Sequence, residues 1–125
     1  VIYGIGTDIV SIKRIEDALF RFGDRFLHRV LNESEVGEYA ETTQPARFLA
    51  KRFAAKEAFS KAFGTGIGAE VNWHDVTISH DQRGRPVFVF SKALAARLNA
   101  ANVSSSNISI SDESEYAIAF VVMES

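Results

Sequence analysis

No cysteine occurs among the 125 residues, which removes disulfides, thiolate zinc sites and cysteine nucleophiles and is compatible with a cytoplasmic protein. No apolar run is long enough to cross a bilayer. The opening Val1 to Val10 is interrupted by Gly4, Gly6 and Asp8, and it has neither a basic start nor a cleavage-like end. A soluble, leaderless protein is expected. Strong charge of one sign is also missing: the formal net charge is −2, so no whole-molecule attraction to nucleic acid or an anionic membrane is expected. No fixed-period repeat occurs, and the one low-complexity tract, Ser104 to Ser106, is too short for a linker. A single domain over residues 1–125 is expected, because two halves of such a chain would each bury too little core.

Several segments carry their own start and stop signals. Val1 to Ile9 is rich in β-branched residues and reads as a strand, after which Ser11 caps a helix that ends near Phe22 at Gly23. Asn32 followed by Glu35 makes a capping-box start for a short helix through Tyr39. Thr42 to Pro45 open the longest helix, which runs to Phe63 and stops at Gly64. Val71 to Ser79 and Val87 to Phe90 read as paired strands around a turn with Gly84 and Pro86. Ser91 to Asn102 reads as a helix, Asn107 to Ser111 as a half-buried strand, and Tyr116 to Met123 as an apolar closing strand. The order predicts an α+β fold with a long central helix on an antiparallel sheet.

The chemistry concentrates in Phe48 to Gly68. On a helical wheel Phe48, Ala55, Phe59, Ala62 and Phe63 form a core side, while Glu57 and Lys61 lie a turn apart beside Ala50, Ala54 and Ala58. That small-residue stripe resembles the floor of a groove. Glu57 and Lys61 read most simply as an exposed ion pair worth about 0.3 to 0.5 kcal/mol. The charge balance offers a second reading, because Arg47, Lys51, Arg52, Lys56 and Lys61 face the single acid Glu57. Such a helix would attract a polyanion, and a lone carboxylate there would hold a divalent metal on its phosphates. Asp8 by default caps the following turn. The GIG at Gly4 to Gly6 and GTGIG at Gly64 to Gly68 are not dinucleotide fingerprints: the first lacks a third glycine and the second follows a helix.

Together, GIGTDIV near the amino terminus and FLAKRFAAKEAFSKAFGTGIG in the middle resemble the two signature blocks of the holo-acyl-carrier-protein synthases. The likeness extends to Gly84, Arg85 and Pro86 and to the closing DESEYAIAFVVMES. It implies the 4'-phosphopantetheinyl transferase fold assembled as a homotrimer with sites between subunits. The implied activity moves phosphopantetheine from coenzyme A to a serine of apo acyl carrier protein, for fatty acid biosynthesis. By the same likeness Asp8 and Glu57 are the expected magnesium ligands, and Lys61 contacts phosphate. Arg52, Gly64, Thr65, Gly66 and Pro86 belong to the coenzyme A site, and Arg14, Arg21 and Arg25 dock the carrier.

Asn107 stands where several family members have a histidine. Asparagine cannot act as a general base. Glu57 is therefore the favoured protein base and metal-bound water its competitor, while His28, His74 and His80 match no catalytic position. Two rival readings are a non-catalytic module that binds anions on the Arg47 to Lys61 helix, and a transferase acting on carrier domains of polyketide or peptide synthases.

Overall fold

Alternation along β1 (Ile2–Ser11) sets the plan of the fold: Gly6 and Val10 are buried, Gly4 and Asp8 are half-buried, and Ile5, Thr7 and Ile9 between them are exposed. The computed structural model describes residues 1–125. After β1 come α1 (Ile12–Phe22), α2 (Asp24–Val30), α3 (Glu33–Glu41) and α4 (Pro45–Phe63). A short 3-10 turn at Trp73–Asp75 leads into β2 (Val76–His80) and β3 (Pro86–Phe90). The chain closes with α5 (Lys92–Ala100), β4 (Ser105–Asp112) and β5 (Tyr116–Glu124). β1, β5 and β4 form one antiparallel sheet in that order, and β2 and β3 form a separate hairpin. This is the expected α+β architecture, with α4 lying along the sheet. No helix is long and apolar enough to cross a membrane.

Local signals explain most boundaries. The Ser11 hydroxyl accepts from the Arg14 N–H at 3.3 Å, and the capping box of Asn32 and Glu35 forms as expected. Gly64 ends α4 in the left-handed conformation at φ 99°, which a side chain would disfavour. Beyond shifts of one or two residues at several element ends, two larger differences from expectation occur. Asp24–Val30 is a separate helix begun at Gly23, too short to show a periodic face. Residues 71–75 do not join β2, because the Asn72 and Asp75 side chains cap the 3-10 turn instead.

The stripe expected to leave a groove is already filled. Ala50, Ala54 and Ala58 are fully buried, and β1 and β5 are what cover α4. A Cβ built on Gly6 would lie 2.0 Å from the Ala58 carbonyl oxygen, and one on Gly4 would lie 2.0 Å from that of Ala62. Both glycines therefore permit close strand-to-helix approach, and the first GIG is explained by packing. We expect Gly6→Ala to lower stability by about 1 to 3 kcal/mol or more, since the obstacle is backbone. Gly37→Ala in α3, where nothing lies within 4 Å, should be neutral or stabilising. Equal melting temperatures for the two variants would contradict the close-approach account.

Beneath α3 and α4 lies a buried ionic cluster. Glu35 and Lys56 are fully buried and joined at 2.6 Å. Lys56 Nζ also donates to the Val30 and Trp73 carbonyls at 2.7 and 2.9 Å. Glu35 accepts in addition from Arg52 at 3.2 Å, from the Ile78 N–H at 3.1 Å and from the Asn32 N–H at 3.2 Å. Every ammonium hydrogen of Lys56 has an acceptor, the condition under which buried charge is tolerated. Desolvation nevertheless pulls the Lys56 pKa down, opposed by Glu35. One carboxylate thus ties α3, α4 and β2 together.

Candidate active site

Asp8 and Glu57 are brought together by the seating of β1 on α4. Asp8 lies opposite the buried Ala119 in the sheet, so its side chain points toward the helix. With Arg14, Ile15, Phe26 and Phe53, the two carboxylates line an open cavity of about 410 Å³, within the ordinary range of about 300 to 1,000 Å³ for ligand pockets. The Glu57 carboxyl is held above its ordinary value of 4.5, first by burial and then by the negative charge of Asp8, with Lys61 pulling the other way.

Lys61 does not take the ion pair with Glu57 that its spacing makes ordinary. Its ammonium crosses to β1, donating to Asp8 Oδ1 at 3.1 Å and to the Thr7 carbonyl at 3.1 Å. Nor does Asp8 cap the next helix, a role that Ser11 fills. The donor set is two hard carboxylate oxygens sources, with no third His, Asp or Glu alongside. Such a pair fits magnesium, which keeps waters and takes further ligands from phosphate; it does not fit a closed zinc cage.

The expected cationic surface of α4 is largely neutralised by acids distant in sequence. Arg47 is paired with Asp112 at 2.7 Å, Lys51 approaches the same carboxylate at 3.7 Å, and Lys56 is buried on Glu35. Arg52, expected in the coenzyme site, is buried, pairs with Glu35 at 3.2 Å and Glu38 at 2.7 Å, and stacks on Phe48. The structure does not bring it to the Asp8 and Glu57 cavity. On the Glu57 side Lys61 is the helix's remaining cation.

Gly64, Thr65 and Gly66 directly follow the Lys61 turn, but their three N–H groups all converge on the Ser60 carbonyl. This loop is a closed helix end, and what it offers a ligand is open space, since nothing lies within 4 Å of a Cβ built on Gly64 or Gly66. Pro86 begins β3 opposite His80 and does not line the cavity. No histidine lines it either: His74 Nε2 lies 2.6 Å from the His28 carbonyl oxygen, and His80 sits on the hairpin with its pKa lowered by burial and by Arg52. Asn107 pairs opposite Val122 on the outer face of the sheet, away from α4, and donates to Glu124 at 3.2 Å.

Of the arginines expected to dock a partner, Arg14 and Arg25 border two adjoining cavities, and Arg21 lines neither. Arg14 borders the carboxylate cavity. Ala18 and Phe26 line both that cavity and a second one bordered by Phe22, Arg25 and Arg29. Arg21 stacks on Phe22. Arg29 was not foreseen, because its helix was not; recognition of α2 would have placed it one turn beyond Arg25.

Residues 4–121 match the model of the 4'-phosphopantetheinyl transferase superfamily. A holo-[acyl-carrier-protein] synthase of Vibrio cholerae serotype O1 (strain M66-2) is 49% identical over 99% of this chain and 98% of its own. The crystal structure of that enzyme type from Neisseria meningitidis superposes with a TM-score of 0.97 at 46% identity, covering 100% of both chains. The one from Helicobacter pylori, in complex with coenzyme A, gives 0.84 at 39% identity over 96% of this chain and 99% of that one. A carboxylate pair seated by GIGTDIV on the long helix, within a fold shared over the full length, therefore makes this chain a member of the 4'-phosphopantetheinyl transferase superfamily, of the holo-[acyl-carrier-protein] synthase type.

Proposed function

We propose that the chain, as one transferase domain over residues 1–125, moves 4'-phosphopantetheine from coenzyme A to a serine of apo acyl carrier protein, serving fatty acid biosynthesis. The observation that carries this reading is the meeting of Asp8 and Glu57 at one open cavity, with the Lys61 ammonium bonded to Asp8. In the reaction the serine oxygen bonds to the pantetheine-side phosphorus, the diphosphate P–O bond breaks, and adenosine 3',5'-bisphosphate leaves. Asp8 and Glu57 would hold magnesium, whose chemistry is to neutralise negative charge on the diphosphate. Lys61 would turn its ammonium to a phosphate oxygen. Glu57 would take the serine proton on a carboxylate oxygen. We place the protein in the cytoplasm, in keeping with a chain without cysteine. The test is to follow adenosine 3',5'-bisphosphate: it should appear only when carrier and coenzyme A are both present, and release without carrier would indicate simple hydrolysis.

The groove from Arg14 to Arg29 supports an acidic carrier as the partner. Its apolar floor and basic rim suit an amphipathic acidic helix. Reversal of Arg14 and Arg21 to Glu should raise the carrier KM while coenzyme A binding stays intact, and added salt should act in the same direction. An unchanged carrier KM in the double variant would remove the groove from recognition.

Assembly as a homotrimer is supported by the sheet's outer face. Ile5, Ile9, Tyr116, Ile118 and Phe120 are all exposed there, Ile9 to 62%, although the same strands bury small residues against α4. A contiguous apolar face of this kind marks an interface. Light scattering should give a trimer mass at working concentration; a fully active monomer would contradict this reading.

A further inference from the structure

Lys61 occupies a position that matters before any phosphate is engaged. Its ammonium lies within hydrogen-bond distance of one of the two oxygens of Asp8, a carboxylate assigned above to a divalent cation. A second cation approaching Asp8 would meet this charge at close range, and like charges a few ångströms apart repel. The lysine is also able to leave. Its side chain is 49% exposed, it hangs on a flexible four-carbon stem, and its other contact is a single backbone carbonyl. A diphosphate in the cavity would offer that ammonium a stronger partner.

We propose that Lys61 is a built-in counter-ion for Asp8, so that divalent metal binds weakly by itself and tightly together with coenzyme A. The inference rests on the reading of Asp8 and Glu57 as the metal pair. The coenzyme draws the lysine from Asp8 to phosphate, and the carboxylate it leaves becomes available to the metal. Because binding couplings are reciprocal, metal must strengthen coenzyme binding by the same factor. Arg14, the cationic residue that lines the cavity itself, makes no ion pair with Asp8, and it supplies the control.

The experiment titrates Mn²⁺ by water-proton relaxation, with and without saturating coenzyme A, into the wild-type protein, Lys61→Met, Lys61→Arg and Arg14→Gln. Lys61→Met should bind Mn²⁺ alone about five- to ten-fold more tightly than wild type, and the tightening caused by coenzyme A should shrink by a similar factor. Lys61→Arg, which keeps the charge, should stay near wild type. The inference is overturned if Lys61→Met binds Mn²⁺ alone no more tightly than wild type. It is equally overturned if Arg14→Gln gains as much, since the effect would then be the general field of the cavity. If the wild-type protein fails to bind Mn²⁺ even with coenzyme A, the metal assignment of Asp8 and Glu57 itself falls.

Discussion

Turnover should fall by about 10²-fold or more in Asp8→Asn and in Glu57→Gln, the scale on which one preorganised electrostatic group acts. Each change keeps shape and removes charge, so the fold should survive. Wild-type activity in either variant after chelator treatment would remove the pair from the chemistry. The same pair gives a pH signature with a definite sign. Glu57 holds its proton above the ordinary 4.5 because of burial and Asp8. Its contribution to folded stability is therefore full below that ordinary value and is lost as pH rises through the raised one. A bound divalent cation offsets this loss by stabilising the ionised form. The rise in melting temperature on adding Mg²⁺ with coenzyme A should thus be largest near neutrality and should vanish as pH falls through the Glu57 titration. A thermal shift that ignores pH, or persists in Glu57→Gln, would contradict the assignment.

A second large effect should come from a residue with no part in the reaction. Glu35→Ala leaves the Lys56 ammonium buried beside Arg52 with its charge unpaired, which costs about 3 to 5 kcal/mol when one partner of a buried pair is removed. Chemical denaturation should show this as a lower midpoint. Replacing the pair together, Glu35→Leu with Lys56→Met, should recover part of the loss, because the stranded charge is then gone. A loss below about 1 kcal/mol for Glu35→Ala would mean that the cluster is wet and does not hold α3, α4 and β2 together.

The sequence was most legible where the signal was local. Ser11, the Asn32 and Glu35 capping box, Pro45 and Gly64 each act within a few residues, and they marked the ends of α1, α3 and α4. Long-range partners were not legible. The cations of α4 look like one ligand surface in a linear reading, yet Asp112, Glu35 and Glu38 reach them from other elements. The alanine stripe likewise gives no sign of what covers it, although Gly6, which lies against Ala58, was an available clue. β5 carried a further unused signal: Ala117, Ala119 and Val121 face the core while Tyr116, Ile118 and Phe120 face out. A strand apolar on both faces predicts cover on both, and a single chain supplies one. For the site, Asp8 and Glu57 were legible only as parts of two motif blocks; the fold explains why those blocks act together.

The most direct measurement is the intact mass of apo acyl carrier protein after incubation with this chain, coenzyme A and Mg²⁺. The account predicts a gain of one phosphopantetheine on one serine of the carrier, abolished by chelator and by changing that serine to alanine. A carrier of unchanged mass in the complete mixture, with the chain folded and coenzyme A intact, would contradict it.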